Sequence, residues 1–151
     1  MPKNETVHKV PHRAEDMFAL VARVEDYPKF VPLCEKLIVR SRVPQEQGGL
    51  ALLADMTVAY KFLRETFTSR VVLDPERLTI TTDYVDGPFR HLENRWHFVP
   101  AGEGGCEVHF FLDYEFRSRA LGALMGTMFD RVFRKFADAF EARADVVYGR
   151  G

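Results

Sequence analysis

Cysteine is scarce in this chain. Cys34 and Cys106 stand far apart and neither has a CxxC partner, so neither a disulfide framework nor a zinc site is indicated. A reducing compartment is the expected setting. Charge of one sign is lacking too: 21 Lys and Arg against 22 Asp and Glu leave a formal net charge of -1, which argues against a protein built around DNA phosphates. No stretch approaches the ~18 apolar residues of a membrane span. Residues Met1 to Thr6 carry no apolar signal core, and no long Arg- and Ser-rich leader follows, so export, membrane insertion and a transit peptide are not expected. Glycine-rich phosphate loops, G-x-S-x-G elbows and H-E-x-x-H motifs are missing. His8 and His12 have i, i+4 spacing, but Pro11 between them prevents a shared helical face and with it a metal pair. No acid–base pair stands out, and no catalytic set or required cofactor is expected.

What is present is apolar and aromatic. The chain has 151 residues, 46% of them hydrophobic, with 13 Phe; this suits one domain with a real core, and no repeat or linker divides it. Thr6 to Val10 is a strand candidate. After Pro11, Met17, Leu20, Val21 and Val24 fall at i, i+3, i+4 and i+7, predicting a helix over 13–24 whose preceding His12 is a poor cap. The connector Tyr27-Pro-Lys-Phe30-Val-Pro32-Leu33-Cys34 follows, where two prolines forbid regular helix.

From Lys36 to Phe116 the apolar period is two, as in half-buried antiparallel strands. Turn residues at Gln47-Gly48-Gly49, Asp74-Pro75-Glu76, Asp86-Gly87-Pro88 and Ala101 to Gly105 punctuate the run, with a further reversal near Tyr60-Lys61. Met56, Phe67, Ile80, Leu92, Trp96, Phe98 and Phe110 share the apolar face by this alternation, while His91, His97 and His109 point outward. From Leu121 to Tyr148 helical spacing holds for about 28 residues, roughly 40 Å at 1.5 Å per residue and enough to cross a sheet. The fold class is α+β: about seven antiparallel strands in a curved sheet around a long C-terminal helix.

Four segments carry a resemblance. The Y-P-x-F-x-P-x-C connector, the F-x-S-x-V stretch Phe67-Thr-Ser69-Arg-Val71, the G-P-F…L…W-x-F pattern of Gly87-Pro88-Phe89, Leu92 and Trp96-His-Phe98, and A-F-x-x-R-A…Y-G from Ala139 to Gly149 resemble, in order, the coenzyme Q-binding protein family, whose bacterial members include ribosome-association toxins. The likeness runs from about Val7 to Gly149. It implies a START-like helix-grip fold, with two short helices after the first strand, and an apolar cavity for ubiquinone or a similar polyprenylated lipid in support of respiration. It equally implies the toxin activity, interference with ribosomal subunit association. Because the wider superfamily includes polyketide cyclases, a cyclase-like enzyme resting on Glu65 or Asn94 is a third alternative.

Within that expectation the candidate ligand-binding residues are Tyr27, Phe30, Leu33, Met56, Phe67, Ile80, Asn94, Trp96, Phe98, Phe110, Leu121, Leu124, Met125, Met128, Phe129 and Phe133. The methionines offer pliable thioethers for an irregular tail, although by periodicity alone ordinary core packing is the better account of their spacing. Gly122 and Gly126 would thin the helix there. Glu65, Ser69, Thr82, Arg90 and Asn94 fall on the inward register. Each must find a partner if buried; Asn94 is the expected head-group donor, and Glu65 and Arg90 are expected to pair internally or reach solvent. Between Arg117 and Arg150 seven basic residues face four acidic ones. Arg131, Arg134 and Lys135 are therefore the candidate contacts to an anionic membrane surface or a ribosomal subunit. The expected location is the bacterial cytoplasm, with peripheral contact at the inner membrane.

Overall fold

The computed structural model describes residues 3–46, 48–60 and 63–149. Strand β1 (Lys3–Val10) leads into α1 (Ala14–Ala22) and a 3-10 helix at Val24–Lys29. Six strands follow: β2 (Cys34–Pro44), β3 (Leu50–Tyr60), β4 (Leu63–Asp74), β5 (Thr79–Asp86), β6 (Phe89–Ala101) and β7 (Gly105–Phe116). Helices α2 (Arg119–Arg134) and α3 (Phe136–Tyr148) close the chain. The strands form one antiparallel sheet in the order β1-β7-β6-β5-β4-β3-β2, a meander in which β1 returns to pair with the last strand. Gln47 of one expected turn and Lys61 of another lie outside the described residues.

Alternation sets the two faces. In β7, Cys106, Val108, Phe110, Leu112, Tyr114 and Phe116 are all buried while the residues between them are half exposed, as an antiparallel sheet covered on one side requires. Helix α1 packs over β5, β6 and β7 with Met17, Leu20 and Val21 in the core. Its N-terminus has no side-chain cap, and the preceding His12 turns instead to Asp145 of α3.

Two local features escape the simple period. A bulge between Phe89 and His91 interrupts the β6–β7 register, and bulges reorient side chains by one position. Phe89 is consequently buried, whereas Arg90 is 69% exposed and pairs with Glu115 at 3.4 Å, which corrects its expected inward register and leaves it reaching solvent, one of the two outcomes expected for it. The C-terminal helical segment has its expected extent but comes in two pieces. At Lys135 the amide bonds back three residues to the Val132 carbonyl, 3.0 Å, and φ −97°, ψ −1° departs from α geometry before α3 resumes.

Candidate functional site

Between the concave face of the sheet and the C-terminal helices lies a partly enclosed cavity of about 120 Å³. Its floor comes from alternate residues of six strands, among them Leu37 of β2, Met56 of β3, Phe67, Ser69 and Val71 of β4, Ile80 and Thr82 of β5, Asn94 and Trp96 of β6 and Phe110 of β7. Tyr27, Val31, Pro32 and Leu33 of the connector form one side, and Val132, Phe136 and Phe140 of the helices form the roof. An apolar cavity of about 150 Å³ accommodates benzene, so this one, at about 120 Å³, comes close to the size of a single ring. Sites for larger ligands begin near ~300 Å³, and a polyprenyl chain fits only with much of its length outside or with side chains displaced.

The connector is built to hold α3. Tyr27 donates its hydroxyl to the Val21 carbonyl at 2.6 Å, and its ring meets Phe140 edge-on with centroids 5.3 Å apart. Phe30 also meets Phe140 edge-on, at 5.0 Å, under the Arg143 guanidinium at 5.4 Å. Such edge-to-face pairs each contribute beyond their buried area. The aromatic connector therefore packs on the helix rather than projecting from the molecule. Leu33 has a positive φ of 66°, uncommon for a side chain of this size; its carbonyl accepts a hydrogen bond from the Ala59 amide at 3.0 Å, which anchors the strained residue to β3.

The polar groups of the lining are few. Asn94 uses its amide to donate to the Phe111 carbonyl at 2.9 Å and its carbonyl to accept from the Trp96 indole at 3.1 Å. It therefore orients the tryptophan and the neighbouring strand before any ligand is considered. Ser69 is 5% exposed, and its hydroxyl has no hydrogen-bond partner among the described residues. Burial pushes the Cys34 thiol up to about 11 and raises the Tyr27 phenol above the usual tyrosine range, with nearby acidic groups adding to the effect. Both stay protonated at neutral pH.

Of the candidate residues, Tyr27, Leu33, Met56, Phe67, Ile80, Asn94, Trp96 and Phe110 line the cavity. Phe30 stands behind Tyr27. Phe98 is buried outside the lining, stacked on Trp96 at 5.9 Å and edge-on to Phe18 of α1 at 6.3 Å. Leu121 packs on the core without reaching the lining, and Leu124 is 63% exposed. The side chains of Met125, Met128, Phe129, Phe133 and Arg134 lie outside the described residues, while Arg131 and Lys135 are exposed. A Cβ on Gly122 would sit 3.8 Å from Phe116, an ordinary contact, so close packing does not demand glycine there; Gly126 lies outside the described side chains. Phe89, Phe136 and Phe140 line the cavity without having been singled out as site residues; their signal was present, in the G-P-F motif and the helical stripe.

Comparison with known proteins agrees with the fold. Residues 10–141 match the family described as polyketide cyclase / dehydrase and lipid transport. The chain is 33% identical over 148 residues to the ribosome association toxin RatA of Escherichia coli K12, covering 98% of this chain and 90% of that one. It is 33% identical over 138 residues to the mitochondrial coenzyme Q-binding protein of Schizosaccharomyces pombe, covering 91% and 83%. A START superfamily protein from Mycobacterium smegmatis superposes with a TM-score of 0.79 at 20% identity, covering 96% and 98%, a likeness of fold.

Proposed function

The chain belongs to the polyketide cyclase / dehydrase and lipid transport family, and from that premise we propose that it binds ubiquinone or a similar polyprenylated lipid in the cavity without chemical turnover, in support of respiration. The observation that carries this reading is the lining: apolar and aromatic side chains around a ring-sized space, with the hydroxyls of Ser69 and Thr82 and the amide of Asn94 on its floor. A quinone head needs this combination, flat walls and a small number of polar contacts. The relative named as a coenzyme Q-binding protein supports the ligand class. Against catalysis speaks the chemistry of the lining. Its titratable groups among the described residues are Tyr27 and Cys34, both held protonated by burial, and neither is poised for proton transfer near neutral pH.

Among the described residues no helix is long and apolar enough to cross a membrane. We propose, as part of the same reading, a bacterial cytoplasmic protein that meets its lipid by peripheral contact at the inner membrane. Organic extraction of protein purified from quinone-producing cells, followed by mass spectrometry, tests the reading: a polyprenyl quinone in molar proportion is expected, and a lipid-free extract counts against it.

A second reading follows from the relatives named as ribosome association toxins. Arg131 and Lys135 are exposed near the α2–α3 junction, a site for an RNA phosphate contact. Co-sedimentation with free ribosomal subunits, lost on charge reversal at these two positions, is the outcome that reading requires.

A further inference from the structure

We propose that the Ser69 hydroxyl is the anchoring donor of the cavity, taking a ring carbonyl or another hydrogen-bond-accepting oxygen on a flat, unsaturated head group. The inference rests on the quinone reading and adds the point of recognition. Ser69 lies in the interior of β4, opposite Ala54 on one side and Tyr84 on the other, and lines the cavity. Ala54, its register partner on β3, has a methyl side chain and offers the hydroxyl no polar group. Ser69 Oγ is buried and without a partner among the described residues, a state that buried hydroxyls in native proteins rarely keep unless a water or ligand completes them.

Its neighbours match such a ligand. Phe67, two residues along the same face, meets Phe89 edge-on at 5.2 Å, and both rings line the cavity; together they offer flat apolar surface beside the donor. Two other polar side chains lie on the floor: Thr82, which is half-buried, and Asn94, whose amide already spends one N–H on the Phe111 carbonyl and its oxygen on the Trp96 indole. The expectation that Asn94 is the primary donor therefore passes to Ser69, with Asn94 as the residue that holds the wall in place.

The test compares Ser69→Ala with the wild type against two probes: a short-chain ubiquinone, and the same prenyl chain on a benzene ring without oxygens. Wild type is expected to bind both, the quinone more tightly. Ser69→Ala should weaken the quinone by about 3- to 10-fold, the net worth of one neutral hydrogen bond, and leave the oxygen-free probe unchanged. The ligand-free variant should melt at or above the wild-type temperature, because it loses a polar group that had no partner. Equal quinone affinity in the two proteins would overturn the anchor while leaving the cavity reading intact, and so would a clear loss of thermal stability in the ligand-free variant. Failure of wild type to bind either probe would overturn the quinone reading, and the anchor with it.

Discussion

His12 Nε2 lies 2.7 Å from Asp145 Oδ1 across 133 positions of sequence, joining the segment before α1 to the last helix. The imidazole is almost fully buried, 4% exposed, and the carboxylate is 22% exposed. Nearby, Tyr148 donates its hydroxyl to the Asp16 carbonyl at 3.0 Å, so two polar contacts fasten α3 to α1 at the end away from the Phe140 cluster.

Removing one member of this pair leaves the other incompletely bonded, at a cost of roughly 1–3 kcal/mol. His12→Ala should lower the free energy of unfolding in urea by that amount, and Asp145→Asn by less, since the amide retains a hydrogen-bonding oxygen. A His12→Ala variant as stable as wild type would mean the contact contributes nothing to holding α3.

Little of this was visible in the sequence, where His12 reads only as a poor helix cap. The sheet was legible because β7 alternates without a break, and the same rule brought Met56, Phe67, Ile80, Trp96 and Phe110 to one cavity. It misjudged Arg90 because one bulge residue reverses the register, an event a period of two cannot signal. Phe98 obeys the period and is buried, yet α1 covers it; alternation gives a side and not the element that packs there. The helical stripe did not show which of its residues reach the cavity, since periodicity carries no depth: Leu121 and Leu124 fall short of it, and Phe140 lies at its roof.

The G-P-F motif has a steric reason. A Cβ on Gly87 would come within 2.5 Å of Phe67 Cβ and 2.9 Å of its Cα, and Gly87 has φ +144°. Gly87→Ala must therefore move a cavity-lining strand and strain its own backbone. Each effect is worth about 1–3 kcal/mol. The expected outcome is a loss of about 2–4 kcal/mol in chemical denaturation, accompanied by weakened ligand binding because Phe67 is displaced; a neutral substitution would show that β4 yields freely.

Alkaline pH should loosen the fold in a defined window. Burial pushes the thiols of Cys34 and Cys106 from 9.0 up to about 11, so the folded chain keeps protons that the unfolded chain releases. Stability from this source is complete below pH 9 and is lost as pH rises through about 11. The urea midpoint should fall over that interval. Replacing both cysteines by Ala should delay the onset to above pH 10, where the unfolded chain begins to lose the Tyr27 proton that the folded one retains. An identical pH profile in the double variant would show that the thiols are not responsible.

Trp96 is the single tryptophan of the chain and lines the cavity beside Phe110 and Phe140, with ring centroids 4.8 and 4.9 Å away. A quinone entering the space would sit against the indole and quench its fluorescence. Titration with a short-chain ubiquinone should give saturable quenching with a stoichiometry near one, and competition by an oxygen-free prenyl analogue should reverse it. Asn94→Leu provides the complementary measurement. It removes the acceptor of the Trp96 indole and one donor to the Phe111 carbonyl, so it should destabilise the ligand-free protein by about 1–3 kcal/mol, unlike Ser69→Ala. Linear quenching, as collisions in solution would give, would mean that the indole senses no bound quinone and that the cavity is core packing alone.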